Sequence, residues 1–262
     1  MAGAAPGQTV DLAPKGPVFR EIFVLYLVTL LAIRAVVDLQ RLVGVHELIL
    51  ALVPVLFMYA PVWLCRWRGV DSWDYPLEVP AFRDGKAWLR PLLPAVAFAA
   101  AITVPFVFGY HVWQTMGVPM VEDALNIRLY ATRPQLQWTW PAWADFARLV
   151  GYQVFFVAIP EEFFYRGYMQ TRLDEAWGRP WKVAGTYVGP GLLITCVLFA
   201  FGHSLVILQW WHVFIVFPSL AFGWLRARTG GVLAGAYFHA YCNLGVGVLD
   251  TLYGIPNGMA GS

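Results

Sequence analysis

The amino-acid sequence predicts an all-α fold, a polytopic transmembrane helix bundle of about seven spans with the N-terminus inside and the C-terminus outside. Composition is the first observation: 59% of the 262 residues are hydrophobic and 13% are charged, whereas a typical soluble domain is about 45–50% apolar and about 25% charged. The second is a series of long apolar stretches, and the third is the distribution of lysine and arginine between them. Together they exclude an ordinary soluble domain.

The candidate spans follow one another along the chain, since a helix needs about 20 mostly apolar residues to cross the hydrocarbon core. They cover residues 19–38, 48–66, 91–113, 145–168, 186–207, 209–226 and 231–252. Almost nothing separates the fifth stretch from the sixth, which predicts a tight hairpin or a re-entrant piece. The 114–143 connection is long and rich in tryptophan and proline, and is expected to form an interfacial loop on the outer side.

The basic residues set the predicted orientation, because lysine and arginine accumulate in cytoplasmic segments. With the N-terminus inside, the cytoplasmic segments hold Lys15, Arg20, Arg66, Arg68, Arg83, Lys86, Arg90, Arg172, Arg179, Lys182, Arg226 and Arg228. The outer segments hold Arg41, Arg128, Arg133 and Arg148. This asymmetry predicts an N-in, C-out topology. The expected location is the inner (plasma) membrane.

One bundle accounts for the chain, because no internal repeat or second soluble domain is evident. We expect a disordered tail over 1–18, accessory helices and the outer loop over 19–143, the bundle with the functional polar residues over 144–253, and a second tail over 254–262. The sequence carries no prediction of oligomeric state.

The charge and the cysteines exclude several kinds of partner and cofactor. A formal net charge of +2 without a basic stripe argues against nucleic-acid binding, so the expected partners are the lipid bilayer and membrane-borne substrates. Cys65, Cys196 and Cys242 are odd in number and widely spaced, which offers neither a disulfide framework nor a CxxC zinc pattern.

The stretch EEFFYR places ionisable groups inside an apolar span, where they cost a few kcal/mol each and are functional candidates. Glu162 and Arg166 are four residues apart and share a helical face, which predicts a bidentate ion pair. Glu161 points about 100° away, and its i+4 neighbour is Tyr165, a possible hydrogen-bond partner that cannot neutralise it. Pro160 predicts a kink just before the pair. The Glu161 carboxyl therefore suits a general base.

Two further polar clusters follow, FAFGH and HAYCN. Phe199 precedes His203 by one helical turn, and His239 precedes Asn243 by one turn, so each pair shares a face. A lone histidine or asparagine in a span is more often a buried structural group or interhelical glue. Because the clusters occur together in one part of the chain, we expect Glu161, His203, His239 and Asn243 to meet around one water molecule.

The remaining histidines are expected to have another role. His46, His111 and His212 lie near the ends of spans and are interpreted as interfacial.

The motifs EE-x-x-x-R, F-x-x-x-H and H-x-x-x-N, in this order on successive spans, resemble those of the CPBP family of intramembrane proteases. That family includes the type II CAAX prenyl endopeptidases and the bacterial Abi-type proteins. The resemblance covers roughly residues 145–252.

What the resemblance implies is peptide-bond hydrolysis within the membrane. Glu161 and His203 would activate water, and His239 and Asn243 would stabilise the oxyanion. The supporting residues would be Glu162, Arg166, Phe199 and Tyr165. Glu161, His203 and His239 could instead bind zinc, but HExxH is absent and a glutamic-type mechanism without a cofactor is favoured.

The expected substrate is a membrane-anchored protein or lipidated peptide, cut near its C-terminus. The alternatives left open are a CAAX-type zinc metalloprotease, and a transporter or non-catalytic scaffold that uses its buried charges structurally.

Overall fold

The computed structural model describes residues 12–43, 47–76, 80–81, 83–130, 134–137, 140, 142–208 and 210–255. Most of the two predicted tails, as well as His46 and Arg133, lies outside these residues. The described part is overwhelmingly helical, in agreement with the predicted all-α class.

The first predicted spans are long helices. Helix α1 covers Lys15–Val43, and α2 covers Leu52–Arg68 after a 3-10 turn over Glu47–Ala51. Gly69 ends α2 in the left-handed conformation, with φ 68°, that a glycine adopts without strain. A 3-10 turn over Ser72–Asp74 then leads toward α3.

The next helix is longer than predicted. Helix α3 covers Gly85–Leu89 and is capped by Asp84, whose side chain accepts a hydrogen bond from the Ala87 amide. Helix α4, Leu92–Val112, continues through a π-helical turn, Trp113–Gly117, into α5, Val118–Leu125. The predicted 114–143 loop was therefore wrong over its first part, because the helical conformation continues through these residues to Leu125.

The fourth predicted span belongs to one continuous helix that we call the 143–177 helix. It consists of α6, Trp143–Tyr152, α7, Ile159–Glu162, and α8, Thr171–Trp177, joined by π-helical turns over Gln153–Ala158 and Phe163–Gln170. Pro160 lacks an amide hydrogen, and the helix accommodates it between the wider π turns. Such turns often occur at functional sites.

A short β-hairpin follows, with β1 over Trp181–Val183 antiparallel to β2 over Thr186–Val188. Ala184 and Gly185 form its two-residue turn and both have positive φ, 45° and 81°, as a tight hairpin requires. The predicted span 186–207 was therefore wrong at its start, because residues 186–188 pair as a strand.

The last three elements complete the bundle. Helix α9 covers Pro190–Val206, a 3-10 turn covers Trp210–Ile215, α10 covers Val216–Thr229 and α11 covers Leu233–Leu252. The close connection predicted between the fifth and sixth stretches is this irregular turn between α9 and α10.

Three helical segments among the described residues are long and apolar enough to cross a membrane. They are Lys15–Leu42, Ile49–Arg68 and Gly85–Leu125, and α9 is apolar but shorter. These segments agree with a multi-pass membrane protein. The count of seven spans and the N-in orientation stay predictions.

Candidate active site

The EE pair lies on α7, in the middle of the bundle, where α9 and α11 pack against the 143–177 helix. Glu162 and Arg166 are both fully buried, whereas the side chains of Glu161 and His203 keep 14% and 30% exposure. The site thus combines a dry ion pair with a glutamate and a histidine that each keep part of their surface exposed.

The predicted Glu162–Arg166 ion pair is confirmed, with Nη1 3.1 Å from Oε1. Its predicted bidentate form was wrong. The second terminal nitrogen, Nη2, donates instead to Oγ of Ser219 on α10 at 2.5 Å and to the Ser219 carbonyl at 3.3 Å. The arginine therefore ties α10 to the carboxylate rather than closing a two-bond fork.

Aromatic rings surround the guanidinium. Its Cζ atom lies 4.3 Å from the ring centroid of Phe199 and 5.3 Å from that of Phe222, within the range of a cation–π contact. Arg166 is thus held by a carboxylate, a hydroxyl and two ring faces. This packing compensates for the removal of the charge from water.

His239 is fixed by the same ion pair. Its Nδ1 lies 3.2 Å from Oε1 of Glu162, and its ring stacks on Phe222 with centroids 4.8 Å apart at 15°. A carboxylate that pairs with arginine only accepts hydrogen bonds, so Nδ1 carries the proton. The other ring nitrogen, Nε2, faces Glu161 at 3.9 Å from Oε2.

His203 is oriented by its own helix. Its Nδ1 lies 2.8 Å from the carbonyl oxygen of Phe199, and since a carbonyl only accepts, Nδ1 donates. The Phe199 ring meets both imidazoles edge to face, with centroids 4.7 Å from His203 and 5.5 Å from His239. The Nε2 atom of His203 is left 4.0 Å from Oε2 of Glu161.

Glu161 therefore stands between two imidazoles from two other helices. Its Oε2 atom is buried and has no hydrogen-bond partner among the described residues. Separations of 3.9 and 4.0 Å are too long for direct hydrogen bonds. The structure thus brings together Glu161, His203 and His239, three of the four residues that were expected to meet.

Asn243 lies one turn beyond His239 on α11. Its Nδ2 donates to Oε1 of Gln153 at 2.9 Å. Asn243 thus lies on the same helix as His239, about 6 Å further along the axis, and its partner Gln153 belongs to the 143–177 helix. No hydrogen bond between Asn243 and Glu161 or His203 occurs within the described ranges.

The possible hydrogen bond between Tyr165 and Glu161 was wrong. No such bond occurs between these two described side chains. The Tyr165 ring packs edge to face on Phe199, with centroids 4.9 Å apart, and its hydroxyl lies against Gly202, where an added methyl would come within 2.6 Å of it. Tyr165 therefore supports the floor of the site.

Sequence reasoning missed several residues of the site. Ser219 and Phe222 brace Arg166 and His239 from α10, and Gln153 binds Asn243. His212, expected at the interface, is buried with its ring 5.6 Å from that of His203. The glutamine in the apolar run QVFFVA could have been singled out from the sequence as a polar residue of the site, whereas serine and phenylalanine are too common in spans to be distinguished.

Two imidazole nitrogens and one carboxylate oxygen form a donor set that suits zinc. A tetrahedral zinc ion 2.0–2.1 Å from each ligand needs ligand atoms about 3.4 Å apart, whereas Oε2 of Glu161 lies 4.0 Å from Nε2 of His203 and 3.9 Å from Nε2 of His239. No cluster able to hold a metal ion occurs in the part of the chain that the structure describes. The two separations are therefore wider than those around a bound zinc ion.

Comparison with known families identifies the segment that carries the site. Residues 136–245 match the family model described as Type II CAAX prenyl endopeptidase Rce1-like. No curated protein and no solved structure matches the chain. The match spans less than half of the chain but contains Glu161, Arg166, His203, His239 and Asn243, and it confirms the resemblance that the three motifs predicted.

Proposed function

Taking the Rce1-like match of residues 136–245 as the premise, we propose that the protein is an intramembrane endopeptidase of glutamic type. It hydrolyses a peptide bond near the C-terminus of a membrane-anchored or lipidated protein. The family supports the protease class and a membrane-anchored substrate, and the apolar helices support a site within the membrane. The membrane is proposed to be the inner (plasma) membrane.

The observation that carries the proposal is the position of Glu161 between two imidazole nitrogens. Atoms 3.9–4.0 Å apart can both lie about 2.8 Å from one oxygen atom, a normal hydrogen-bond length. One water molecule can therefore bridge Oε2 of Glu161 to Nε2 of His203 or to Nε2 of His239, and in the proposed mechanism a single water contacts all three atoms. The substrate carbonyl would enter from the partly exposed side of Glu161 and His203.

The hydrogen bonds of the two histidines favour different roles. His203 donates from Nδ1 to a carbonyl, so its neutral ring accepts through Nε2 and helps to orient the water. His239 donates from Nδ1 to Glu162, so its Nε2 donates only when the ring is doubly protonated, with the Glu162 carboxylate facing the charge. His239 is thereby suited to bind an oxyanion.

The reaction balances with these groups alone. Glu161 removes one proton from water while the water oxygen attacks the carbonyl carbon of the scissile bond. His239 and Asn243 donate hydrogen bonds to the resulting oxyanion. When the C–N bond breaks, Glu161 returns this proton to the leaving amine. The other proton of the water stays on the new carboxylic acid, which then passes it to the amine, so that a carboxylate and an ammonium ion are released.

The test uses the purified full chain in detergent and a peptide with a lipidated cysteine near its C-terminus. Glu161→Gln is expected to lower kcat/KM at least about 100-fold, the scale of general acid–base catalysis. The matched control is Glu175→Gln, on the same helix, whose carboxylate pairs with Arg172 away from the site. Cleavage by the Glu161→Gln variant at the wild-type rate would overturn the proposal.

The same assay distinguishes the glutamic mechanism from the zinc mechanism. Wild-type activity is expected to survive dialysis against a strong chelator, because the separations around Glu161 are wider than those around a bound zinc ion. Loss of activity on chelation, restored by added zinc, would replace this mechanism by the metalloprotease alternative.

A further inference from the structure

Gln153 is a buried amide that the catalytic motifs do not include. It lies in the π-helical turn Gln153–Ala158, two turns before Glu161 on the same helix, and its side chain is 3% exposed. Its Oε1 accepts the bond from Nδ2 of Asn243 at 2.9 Å. A buried polar side chain is costly without partners, so this contact calls for an explanation.

The contact is one of two between the same pair of helices. The 143–177 helix meets α11 at Glu162 with His239 and at Gln153 with Asn243. The earlier residue of one helix pairs with the later residue of the other, as expected for antiparallel helices. The two contacts therefore fix the rotation and height of α11 against the helix that carries Glu161.

The Asn243 amide needs such a partner to act in the proposed reaction. The terminal torsion of an asparagine has two broad, roughly equivalent orientations that exchange its oxygen and its NH2 group. An oxygen acceptor at Gln153 selects the orientation in which NH2 faces the 143–177 helix. One hydrogen of that NH2 group is then used by Gln153, and the second remains to donate elsewhere.

We propose that Gln153 is a positioning residue that holds the Asn243 amide with its second N–H directed toward the oxyanion of the transition state. The inference rests on the proposed function and adds to it a residue outside the three motifs. Gln153 acts through Asn243 and does not touch the reacting atoms. Its effect is therefore confined to the step in which the oxyanion forms.

The test compares kcat and KM for Gln153→Met, Gln153→Glu, Asn243→Ala and the double variant Gln153→Met/Asn243→Ala. Gln153→Met keeps the length of the side chain but removes the acceptor, and should lower kcat about 10–100-fold with KM nearly unchanged, a part of what one oxyanion donor contributes. Gln153→Glu keeps an oxygen acceptor and should recover most of that loss.

The kcat of the double variant decides whether Gln153 acts through Asn243. Because Gln153 acts through Asn243, Gln153→Met should cause no further loss in the Asn243→Ala background. The matched control is Gln114→Met, the same change at a buried glutamine in another π-helical turn, which should leave kcat unchanged.

Independent, multiplying losses would overturn the inference, as would a Gln153→Met variant with wild-type kcat. If Gln153→Met does not fold, Gln153→Asn, whose shorter amide falls short of Asn243, gives the same comparison. A wild-type protein without cleavage activity would refute the proposed function and this role together. Cleavage that depends on Glu161 but shows multiplying losses would refute the role of Gln153 alone.

Discussion

At the scale of single residues, Arg166 is the side chain whose loss should cost most stability. It is fully buried, and it balances Glu162 while it bonds Ser219. Removing one partner of a buried pair leaves an uncompensated charge, at about 3–5 kcal/mol. Arg166→Met should therefore lower the free energy of unfolding by about that amount, measured by reversible denaturation in micelles.

The double variant Glu162→Gln/Arg166→Met separates charge from packing. It removes both charges and should recover a large part of the lost stability, since replacing a whole pair is far less costly than breaking it. It should not recover activity, because His239 loses the carboxylate that orients it. A single variant as stable as the wild type would mean that the pair is not desolvated.

The polar residues were predictable from the sequence to the extent that helical spacing governs them. The i,i+4 rule gave the Glu162–Arg166 pair and the separate direction of Glu161. It could not give the partners across helices, such as Ser219 or Gln153, because these depend on helix rotation and height. The rule also could not predict the position of the Tyr165 hydroxyl. This group lies against Gly202, where α9 approaches closely, and not beside the carboxylate of Glu161.

At the scale of elements, small residues allow α11 to approach the ion pair. Gly235 lies one turn before His239, and a methyl group there would come within 3.0 Å of Oε2 of Glu162 and 3.1 Å of the Phe222 carbonyl. Gly235→Ala should therefore displace Glu162 or separate α10 from α11. Either change alters the Glu162–His239 contact, and we expect kcat to fall about 10-fold or more.

Gly245 provides the control for this substitution within the same helix. A methyl group there would meet only a ring atom of Phe106 at 3.9 Å, an ordinary contact, so Gly245→Ala should keep wild-type activity and stability. Equal kcat values for the Gly235→Ala and Gly245→Ala variants would show that the approach of α11 does not control the site.

The elements themselves were only partly predictable. The lengths of the apolar stretches located the helices, because a helix that crosses the hydrocarbon core must be apolar over about 20 residues. The same lengths did not locate the ends of the helices accurately. Hydropathy does not distinguish a short strand, such as residues 186–188, from the first turn of a helix. The π-helical turns on both sides of α7 were also beyond prediction, because they depend on how the chain accommodates Pro160 and the neighbouring helices.

At the scale of the whole molecule, one group of ion pairs lies at a single end of the bundle. Glu21 near the start of α1 contacts Arg68 at the end of α2 and Arg172 on α8, and Asp174 pairs with Arg226 at the end of α10. These segments are the ones that the charge distribution assigns to the cytoplasm. The structure thus joins them at a single end, and the remaining question is which side that end faces.

The positive-inside rule predicts that this end is cytoplasmic, and single cysteines report it. Lys182→Cys on the exposed hairpin should react with a membrane-impermeant maleimide only in permeabilised cells, whereas Asp123→Cys, exposed on α5, should react in intact cells. Both variants are made in a Cys242→Ser background, which is the control, because Cys65 and Cys196 are buried whereas Cys242 is partly exposed. The reverse labelling pattern would invert the molecule, and since His203 lies toward the far end of α9, the substrate would then reach Glu161 from the cytoplasm.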